Sequence, residues 1–309
     1  MKKMAPFMVI LAASLWGAVG LFTRYLYAFG FEAAQVAAIR CFVAAISIVI
    51  FLLIKDKGKL KISLKHIKYF FFTGVIGIAL CYVAYFTTMK LGSLSVATIL
   101  LYTAPFFVMV ASSFLFKERF TLVKAIALTL SIIGCCLITG IIGGSDVQTI
   151  TIQGVLVGVA SGLGYAIYNI ASRYALAHYD SYTTTAYTFI FASVAMIPFA
   201  SLPKMAGLMS LHPVSILLSL AIGIGCTIIP YTIYVTALNH MEVGKASILA
   251  FVEPLVSTLI GILVFQEAFT LSSGVAIALI FISVILLNLN WRPKAEESER
   301  MVPEDILEE

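Results

Sequence analysis

Charged residues are scarce in this sequence, and their scarcity decides the class of protein. Asp, Glu, Lys and Arg make up 11% of the 309 residues, whereas 61% are hydrophobic. A soluble domain cannot bury so large a share of apolar surface, so the composition indicates a protein with many membrane spans. The net charge of +5 does not indicate a nucleic-acid partner, because the basic residues lie at the edges of hydrophobic runs.

Several motifs that would indicate an enzyme or a motor are also missing. The sequence has no GxxxxGK[ST] phosphate-binding loop, which argues against an ATP-driven motor, and no HExxH zinc motif. Its five cysteines lie inside apolar stretches and form no CxxC pair, so neither a disulfide framework nor a metal site is expected. We therefore expect a protein that is not an enzyme and that needs no cofactor.

What the sequence does have is a series of long apolar stretches. A helix needs about 20 residues to cross about 30 Å of hydrocarbon. Lys and Arg concentrate in alternate loops, above all in 55–68, and this bias predicts that both termini are cytoplasmic. The expectation is an all-α integral membrane protein of a prokaryotic plasma membrane. Its ten predicted spans are residues 6–27, 33–54, 69–89, 94–116, 122–142, 154–176, 181–200, 214–237, 244–265 and 271–290.

The chain repeats itself at an offset of 149 residues. Residues 72–140 align without a gap with residues 221–289. Each half has five predicted spans, and an odd number places the two halves in opposite orientations in the membrane. Inverted repeats are typical of secondary transporters, which bind their substrate near mid-membrane between the halves. Identical pairs along the alignment include Tyr82/Tyr231, Tyr85/Tyr234, Pro105/Pro254 and Glu118/Glu267.

Three short segments resemble a known family. They are Ser14-Leu-Trp-Gly17, Phe116-Lys-Glu-Arg-Phe-Thr-Leu122 and its copy Phe265-Gln-Glu-Ala-Phe-Thr-Leu271. All three resemble signature segments of the EamA-type family in the drug/metabolite transporter superfamily. The resemblance implies ten helices and secondary active export or import of small organic metabolites. It divides the chain into a first EamA-like five-helix repeat at 1–143, an extracytoplasmic linker at 144–153, a second such repeat at 154–290 and a polar cytoplasmic tail at 291–309.

Helical spacing places aromatic and hydroxyl residues on shared faces of several spans. Thr98, Tyr102 and Pro105 follow steps of four and three residues, so they lie on one face of a helix. Such a lining suits a small, partly apolar substrate, because rings supply contact area and hydroxyls supply orientation. Alternatively, these residues only pack the helices together. The predicted chamber residues are Trp16, Tyr82, Tyr85, Thr98, Tyr102, Tyr165, Asn169, Tyr231, Tyr234, Ser247 and Phe251.

Two charged residues lie deep inside predicted spans, where charge is costly and usually functional. Glu253 has no acidic counterpart in the first half, which has Ala104 at the equivalent position. It can bind a substrate amine or carry a proton. Alternatively, it caps the carbonyl group that Pro254 leaves without a partner, or it pairs with a basic residue. Arg40 can hold a substrate carboxylate, or it can pair with Glu32 or with backbone carbonyls.

Other features concern the ends and interruptions of the spans. Pro105 and Pro254 each interrupt a span, and we predict a helix hinge at both. Glu118 and Glu267 lie beside threonines that resemble helix N-caps, so we expect them to organise tight turns rather than carry protons. Lys245 begins the ninth span and is expected to extend to the lipid headgroups, although it can alternatively point into the mouth of the cavity.

Together these patterns predict a secondary active transporter that works by alternating access. The expected cargo is an amino acid or a related small amine or carboxylate, and the expected driving force is proton exchange. Arg40 is the only cation deep in a predicted span, which argues against phosphorylated substrates. Two alternatives stay open: a channel-like facilitator without ion coupling, and a membrane enzyme or sensory module, which no motif supports. The expected partners are the lipid bilayer, the substrate and protons, without nucleic acid.

Overall fold

Helices form every regular element in the described part of the chain. The structure is a computed structural model that describes residues 2–92, 94–142 and 151–289. Within these ranges it contains helices and turns but no strand, in agreement with the all-α prediction. The predicted linker lies mostly outside the described residues, and the predicted polar tail lies wholly outside them.

We number the helices in chain order and treat a kinked helix as one. They are α1 (Lys2–Ala28), α2 (Ala33–Lys55), α3 (Leu64–Leu91), α4 (Val96–Leu115), α5 (Leu122–Ile138), α6 (Ile152–Ala175), α7 (Ser181–Phe199), α8 (Val214–Leu238), α9 (Val243–Phe265) and α10 (Leu271–Leu289). Eight of them are long and apolar enough to cross a membrane.

The remaining two helices, α5 and α7, are less regular. Helix α7 turns by 93° into a further helix, Leu202–Leu211, and the pair adds a ninth span if it is counted as one. Helix α5 has 17 residues, which at 1.5 Å per residue is about 26 Å and shorter than the hydrocarbon layer. The prediction of ten spans is therefore confirmed for eight helices. The crossing of the membrane by α5 and α7 and the cytoplasmic position of the termini stay predictions.

Local sequence explains where several helices begin. Thr121, Thr151 and Asp180 each precede a helix, and each side chain accepts a hydrogen bond from a backbone N–H in the first turn. Glu32 and Gln35 form a capping box at the start of α2. Such caps satisfy N–H groups that have no partner inside the helix. Thr121 is the threonine beside Glu118, and its predicted role as an N-cap is confirmed.

The packing of the helices follows the repeat. Helix α1 packs on α8 and α9, and its counterpart α6 packs on α3 and α4. In the same way α2 contacts α8, and α7 contacts α3. Three further contacts join counterparts to each other, namely α2 with α7, α4 with α9 and α5 with α10. Exchanging the two halves therefore leaves this set of helix contacts unchanged. The first helix of each half packs against helices of the other half.

Backbone irregularities also recur in both halves. A π-helical stretch, which often marks functional regions of helices, occupies Phe71–Leu80 in α3 and Ala221–Ile228 in α8. Helix α4 breaks just before Pro105, and α9 breaks just before Pro254. The breaks agree with the positions of the predicted hinges, while motion at them stays a prediction.

Substitution of Gly223 is expected to destabilise the fold, because α8 touches α2 at this glycine. A Cβ atom at Gly223 would lie 2.4 Å from Cβ of Val43, and such overpacking costs about 1–3 kcal/mol. We expect Gly223→Ala to lower the melting temperature in detergent by several degrees. Gly225→Ala, two residues away with no atom within 4 Å of the new Cβ, is the control and should melt at the same or a higher temperature. Equal melting temperatures for the two variants would contradict the packing described here.

Candidate functional site

Two contacts join residues to their own repeat counterparts and mark the centre of the molecule. The hydroxyl oxygens of Tyr82 and Tyr231 lie 3.4 Å apart, and the two residues are separated by 149 positions. The rings of Tyr102 and Phe251, which have the same separation in sequence, lie 5.1 Å apart. A contact between counterparts can form only near the axis that relates the halves. The predicted chamber residues of α3, α4, α8 and α9 therefore surround this axis.

The loops divide the molecule into two ends, and ion pairs identify which loops lie together. We call one of them the Lys-rich end. There Lys59 pairs with Asp180 at 2.5 Å, and Lys124 pairs with Glu242 at 2.8 Å. This end contains residues 56–63, 116–121, 176–180 and 239–242.

At the opposite end, two further ion pairs join other segments of the chain. Lys204 binds Glu32 at 2.6 Å, and Arg24 binds Glu267 at 3.0 Å. All four of these side chains are more than half exposed. Loops that should lie on the same face of a membrane thus do lie together in the structure.

The chamber is packed on one side and open on the other. Tyr82, Tyr85, Thr98 and Tyr102, from α3 and α4, each keep part of their surface accessible. Their counterparts on α8 and α9 are buried, with exposed fractions of 4%, 0%, 1% and 1% for Tyr231, Tyr234, Ser247 and Phe251. These buried counterparts lie in the halves of α8 and α9 nearest the Lys-rich end. The chamber residues are therefore tightly packed toward the Lys-rich end and keep accessible surface toward the opposite end.

Trp16 and Asn169 complete the closed side. The Trp16 ring lies 4.9 Å from the ring of Tyr231 and 5.2 Å from that of Tyr234. Asn169 accepts a hydrogen bond from the Tyr234 hydroxyl and donates one to the carbonyl of Tyr165 at 2.8 Å. The indole N–H of Trp16 is buried without a hydrogen-bond partner among the described residues. A buried donor without a partner is uncommon in proteins and is available to a bound polar group.

Two of the predicted chamber hydroxyls face each other, while a third turns away. The Tyr85 hydroxyl lies 3.2 Å from Oγ1 of Thr98. Ser247, the counterpart of Thr98, instead donates to the carbonyl of Gly244 on its own helix at 2.8 Å. Tyr85 and Thr98 thus lie together as the prediction requires, whereas the Ser247 hydroxyl is used within its own helix.

Arg40 contacts α3 and α8 from its position on α2. Its Nε donates to Oγ1 of Thr227 at 3.1 Å, and its guanidinium carbon lies 5.3 Å from the centre of the Tyr82 ring. Pairing with Glu32, one of the alternatives, does not occur, because Glu32 binds Lys204. The sequence did not reveal Thr227 as a partner. A polar residue that replaces the apolar Ile78 of the repeat was the available signal.

Glu253 is partly buried, and its carboxylate lacks a direct partner. No cation lies within 4.0 Å of it, and it accepts no hydrogen bond, among the described residues. The carbonyl of Ala250, which Pro254 deprives of its usual partner, accepts the backbone N–H of Glu253 at 2.9 Å. The side chain therefore does not cap that carbonyl. The positive charge of Arg40 acts on the Glu253 carboxylate through space.

The polar groups of the chamber break the symmetry of the repeat. The counterparts of Arg40, Thr227 and Glu253 are Phe189, Ile78 and Ala104. All three counterparts are apolar and at most 1% exposed. In each of these three pairs, one position thus holds a polar or charged residue. The symmetry-related position holds a buried apolar residue.

The Lys-rich end is closed by polar contacts between the two halves. Glu118 of the first half accepts hydrogen bonds from the backbone N–H groups of Val243 at 2.7 Å and Gly244 at 3.1 Å. Burial raises the pKa of the Glu118 carboxyl, and the charge of Glu242 adds to this, while Lys124 and the two N–H groups lower it. Sequence reasoning assigned Glu118 to its own turn and missed its contact with the start of α9.

Three cations near this end are buried, and one of them is Lys124, which is 6% exposed and binds Glu242. Arg173 is 6% exposed and donates to the carbonyl of Leu238 at the end of α8. Lys245 is 5% exposed. The expectation that Lys245 extends to the headgroups is therefore wrong, because α4, α5 and α6 pack over the first turns of α9.

The architecture defines a class of protein: a multi-pass membrane protein built from two repeats that meet at a central axis. A comparison with protein families identifies it further. The sequence model of the EamA-like transporter family matches twice, at residues 3–140 and 152–289. The chain belongs to the EamA-like transporter family, and the predicted resemblance is confirmed.

Individual proteins agree with this assignment. An uncharacterized transporter of Archaeoglobus fulgidus is 28% identical over 92% of this chain and 95% of its own length. The uncharacterized inner membrane transporter YicL of Salmonella typhimurium is 24% identical over 93% of this chain and 96% of its own. A solved crystal structure shares the fold with a TM-score of 0.77 at 19% identity, covering 94% of this chain and 98% of the other.

Proposed function

We propose that the protein is a secondary active transporter that moves a small zwitterionic metabolite, an amino acid or a close relative, by alternating access. The observation that carries the substrate class is the presence of two opposite charges, Arg40 and Glu253, in a chamber otherwise lined by rings and hydroxyls. Neither charge forms a close ion pair among the described residues. Both are available to a ligand that carries both signs.

Each charge has a chemically distinct task in this proposal. The guanidinium of Arg40 presents donors in a planar fork that matches a carboxylate. Thr227 holds Nε and thereby fixes the direction of the fork. Glu253 accepts the substrate amine or takes up the driving proton. The rings of Tyr82 and Tyr102, which keep part of their surface accessible, offer contact area for an apolar side chain.

The membrane orientation is part of the proposal. The Lys-rich end faces the cytoplasm, since basic residues concentrate in cytoplasmic loops. The two halves, 1–143 and 154–290, are inverted repeats that cross the membrane ten times in total and leave both termini in the cytoplasm. The bacterial relative named as an inner membrane transporter supports a plasma-membrane location. In this orientation the described conformation is open to the outside and closed to the cytoplasm.

The mechanism exchanges which end of the chamber is closed. Helices α4 and α9 break beside Pro105 and Pro254, and these breaks are the positions at which the helices would bend. A broken helix near mid-membrane is common in transporters with inverted repeats. Motion at the two breaks would open one end as it closes the other.

Uptake into proteoliposomes tests the proposed function. Vesicles with the purified protein are supplied with radiolabelled amino acids, with and without a pH gradient, and protein-free vesicles are the control. We expect accumulation above the external concentration that a protonophore abolishes. Entry that stops at equal concentrations would identify an uncoupled facilitator instead. Failure to move any amino acid, amine or carboxylate would refute the substrate class.

A further inference from the structure

The geometry of the closed end points to a latch. We propose that Glu118 and Arg173 together clamp the turn between α8 and α9, and that release of this clamp opens the Lys-rich end of the chamber. This inference rests on the alternating access proposed above. It assigns to two specific residues the task of holding one of the two states.

The clamp holds both sides of the turn at residues 239–242. Arg173, from α6, donates to the carbonyl of Leu238, the last residue of α8. Glu118 accepts from the N–H groups of Val243 and Gly244, the first residues of α9. A carboxylate at a helix start and a cation at a helix end both complement the helix dipole. The turn is thus gripped by a charge of the favourable sign on each side.

Helix α9 depends on Glu118 for its cap. Glu242 occupies the N-cap position of α9, but its side chain makes no capping hydrogen bond there. It binds Lys124 instead. The N–H groups at the start of a helix need partners from outside the helix. Because Glu118 belongs to the other half of the chain, the cap exists only while the two halves meet at this end.

The position of Glu118 is built into the repeat. Lys117 and its counterpart Gln266 both adopt left-handed backbone angles, with φ of 55° and 56°. The N–H of Glu118 then reaches the carbonyl of Ser112, at 3.3 Å. The N–H of Glu267 reaches the carbonyl of Gly261 in the same way, at 3.1 Å. The same turn therefore presents a glutamate at each end of the molecule.

The counterpart residues at the open end are arranged differently. Glu267 binds Arg24, the counterpart of Arg173, and both side chains are about half exposed, at 52% and 54%. The guanidinium of Arg24 also lies 4.2 Å from the centre of the Phe265 ring. At the open end the arginine and the glutamate bind each other. At the closed end, Arg173 and Glu118 instead bind backbone groups on either side of the turn at residues 239–242.

Cysteine accessibility tests the latch without a substrate. Thr98 and Ser247 are repeat counterparts, one partly accessible from the open end and one buried near the closed end. Each is replaced by Cys in a background without the native cysteines and probed with an impermeant maleimide from either side of oriented vesicles. In the parent we expect Thr98→Cys to react from the outside and Ser247→Cys to be protected.

Removing Glu118 should expose the inner reporter. Glu118→Ala deletes both acceptors, and charge-assisted hydrogen bonds are strong enough that we expect labelling of Ser247→Cys from the Lys-rich side to rise about tenfold or more. Glu118→Gln keeps one acceptor and the same shape, so it should give an intermediate rise and guards against a folding defect. Glu267→Ala, the matched change at the other end, should not raise this labelling.

The outcomes separate the latch from the proposed function. Continued protection of Ser247→Cys in both Glu118 variants, with Thr98→Cys still reactive, would overturn the latch and leave the transporter proposal untouched. If neither reporter changes in the parent under a pH gradient with amino acids present, alternating access itself fails. Equal exposure in the Glu118→Ala and Glu267→Ala proteins would show a general loosening and would also overturn the latch.

Discussion

Replacement of Glu253 by Gln is expected to abolish accumulation of substrate against its gradient but to leave exchange down a gradient. Gln has nearly the same shape as Glu and cannot ionise, so it preserves the packing of α9 while removing the group proposed to carry the proton. The Glu253 side chain does not cap the break in α9, since the carbonyl of Ala250 already accepts the backbone N–H of Glu253. A carboxylate without a partner inside the membrane is costly, which argues that it is retained for function.

The measurement is the ratio of internal to external substrate in proteoliposomes under a pH gradient. We expect a ratio well above one for the parent and close to one for Glu253→Gln. Glu32→Gln is the control, because Glu32 lies in an exposed ion pair outside the chamber and such pairs contribute little. Undiminished accumulation by Glu253→Gln would assign the coupling to another group. A loss of affinity confined to substrates with an amine would assign Glu253 to amine binding.

Replacement of Arg40 is expected to cost most of the substrate affinity. In the proposal, Arg40 forms a buried charge pair with the carboxylate of the substrate. Removal of one member of such a pair costs about 2–5 kcal/mol, so Arg40→Ala should raise the apparent KM about 30-fold or more. Arg40→Lys keeps the charge but loses the planar fork, and it should lie between the parent and Arg40→Ala. Thr227→Val removes the acceptor at 3.1 Å from Nε and should weaken binding by about tenfold.

The decisive readout compares a zwitterionic substrate with an analogue that lacks the carboxylate. The parent should prefer the zwitterion, and Arg40→Ala should lose that preference while its residual transport of the amine stays the same. Lys204→Gln, the other half of the exposed ion pair with Glu32, is the control. An unchanged preference in Arg40→Ala would mean that Arg40 only fixes α2 through Thr227.

Patterns within the sequence were enough to predict the repeat. The identical Tyr82/Tyr231 pair was predicted to belong to one chamber, and the structure brings the two hydroxyls to within 3.4 Å of each other. The Pro105/Pro254 pair predicted interruptions, and both helices break beside these residues. These features are predictable because helical periodicity and internal repeats are properties of the sequence itself. They can be recognised without knowing which helices are in contact.

Contacts between distant parts of the chain were not predictable in the same way. Arg40 and Thr227 are 187 residues apart, and Glu118 and Val243 are 125 apart. Helical spacing gives the face on which a residue lies but not the helix opposite that face. Lys245 is an example. Its position at the end of a span predicted contact with the headgroups, but neighbouring helices bury it.

The conformational state was also beyond the sequence. Tyr85 and Tyr234 are identical counterparts, yet Tyr85 is partly accessible and Tyr234 is fully buried. Two copies of one pattern cannot indicate which copy is closed at a given moment. The difference in exposure between Tyr85 and Tyr234 depends on how the two halves are arranged. That arrangement results from the packing of all the helices.

The duplicated kinks and turns have a thermodynamic consequence for the proposed cycle. If the hinge, the turn and the clamp exist in two equivalent copies, the inward-facing and outward-facing conformations are made from the same kinds of contact, exchanged between halves. Their intrinsic free energies are then close, and a small differential term decides which is populated. That term must come from residues whose repeat counterparts differ, and in the chamber these include Arg40, Thr227 and Glu253. Occupancy and protonation of one unduplicated site would then set the direction of the whole molecule.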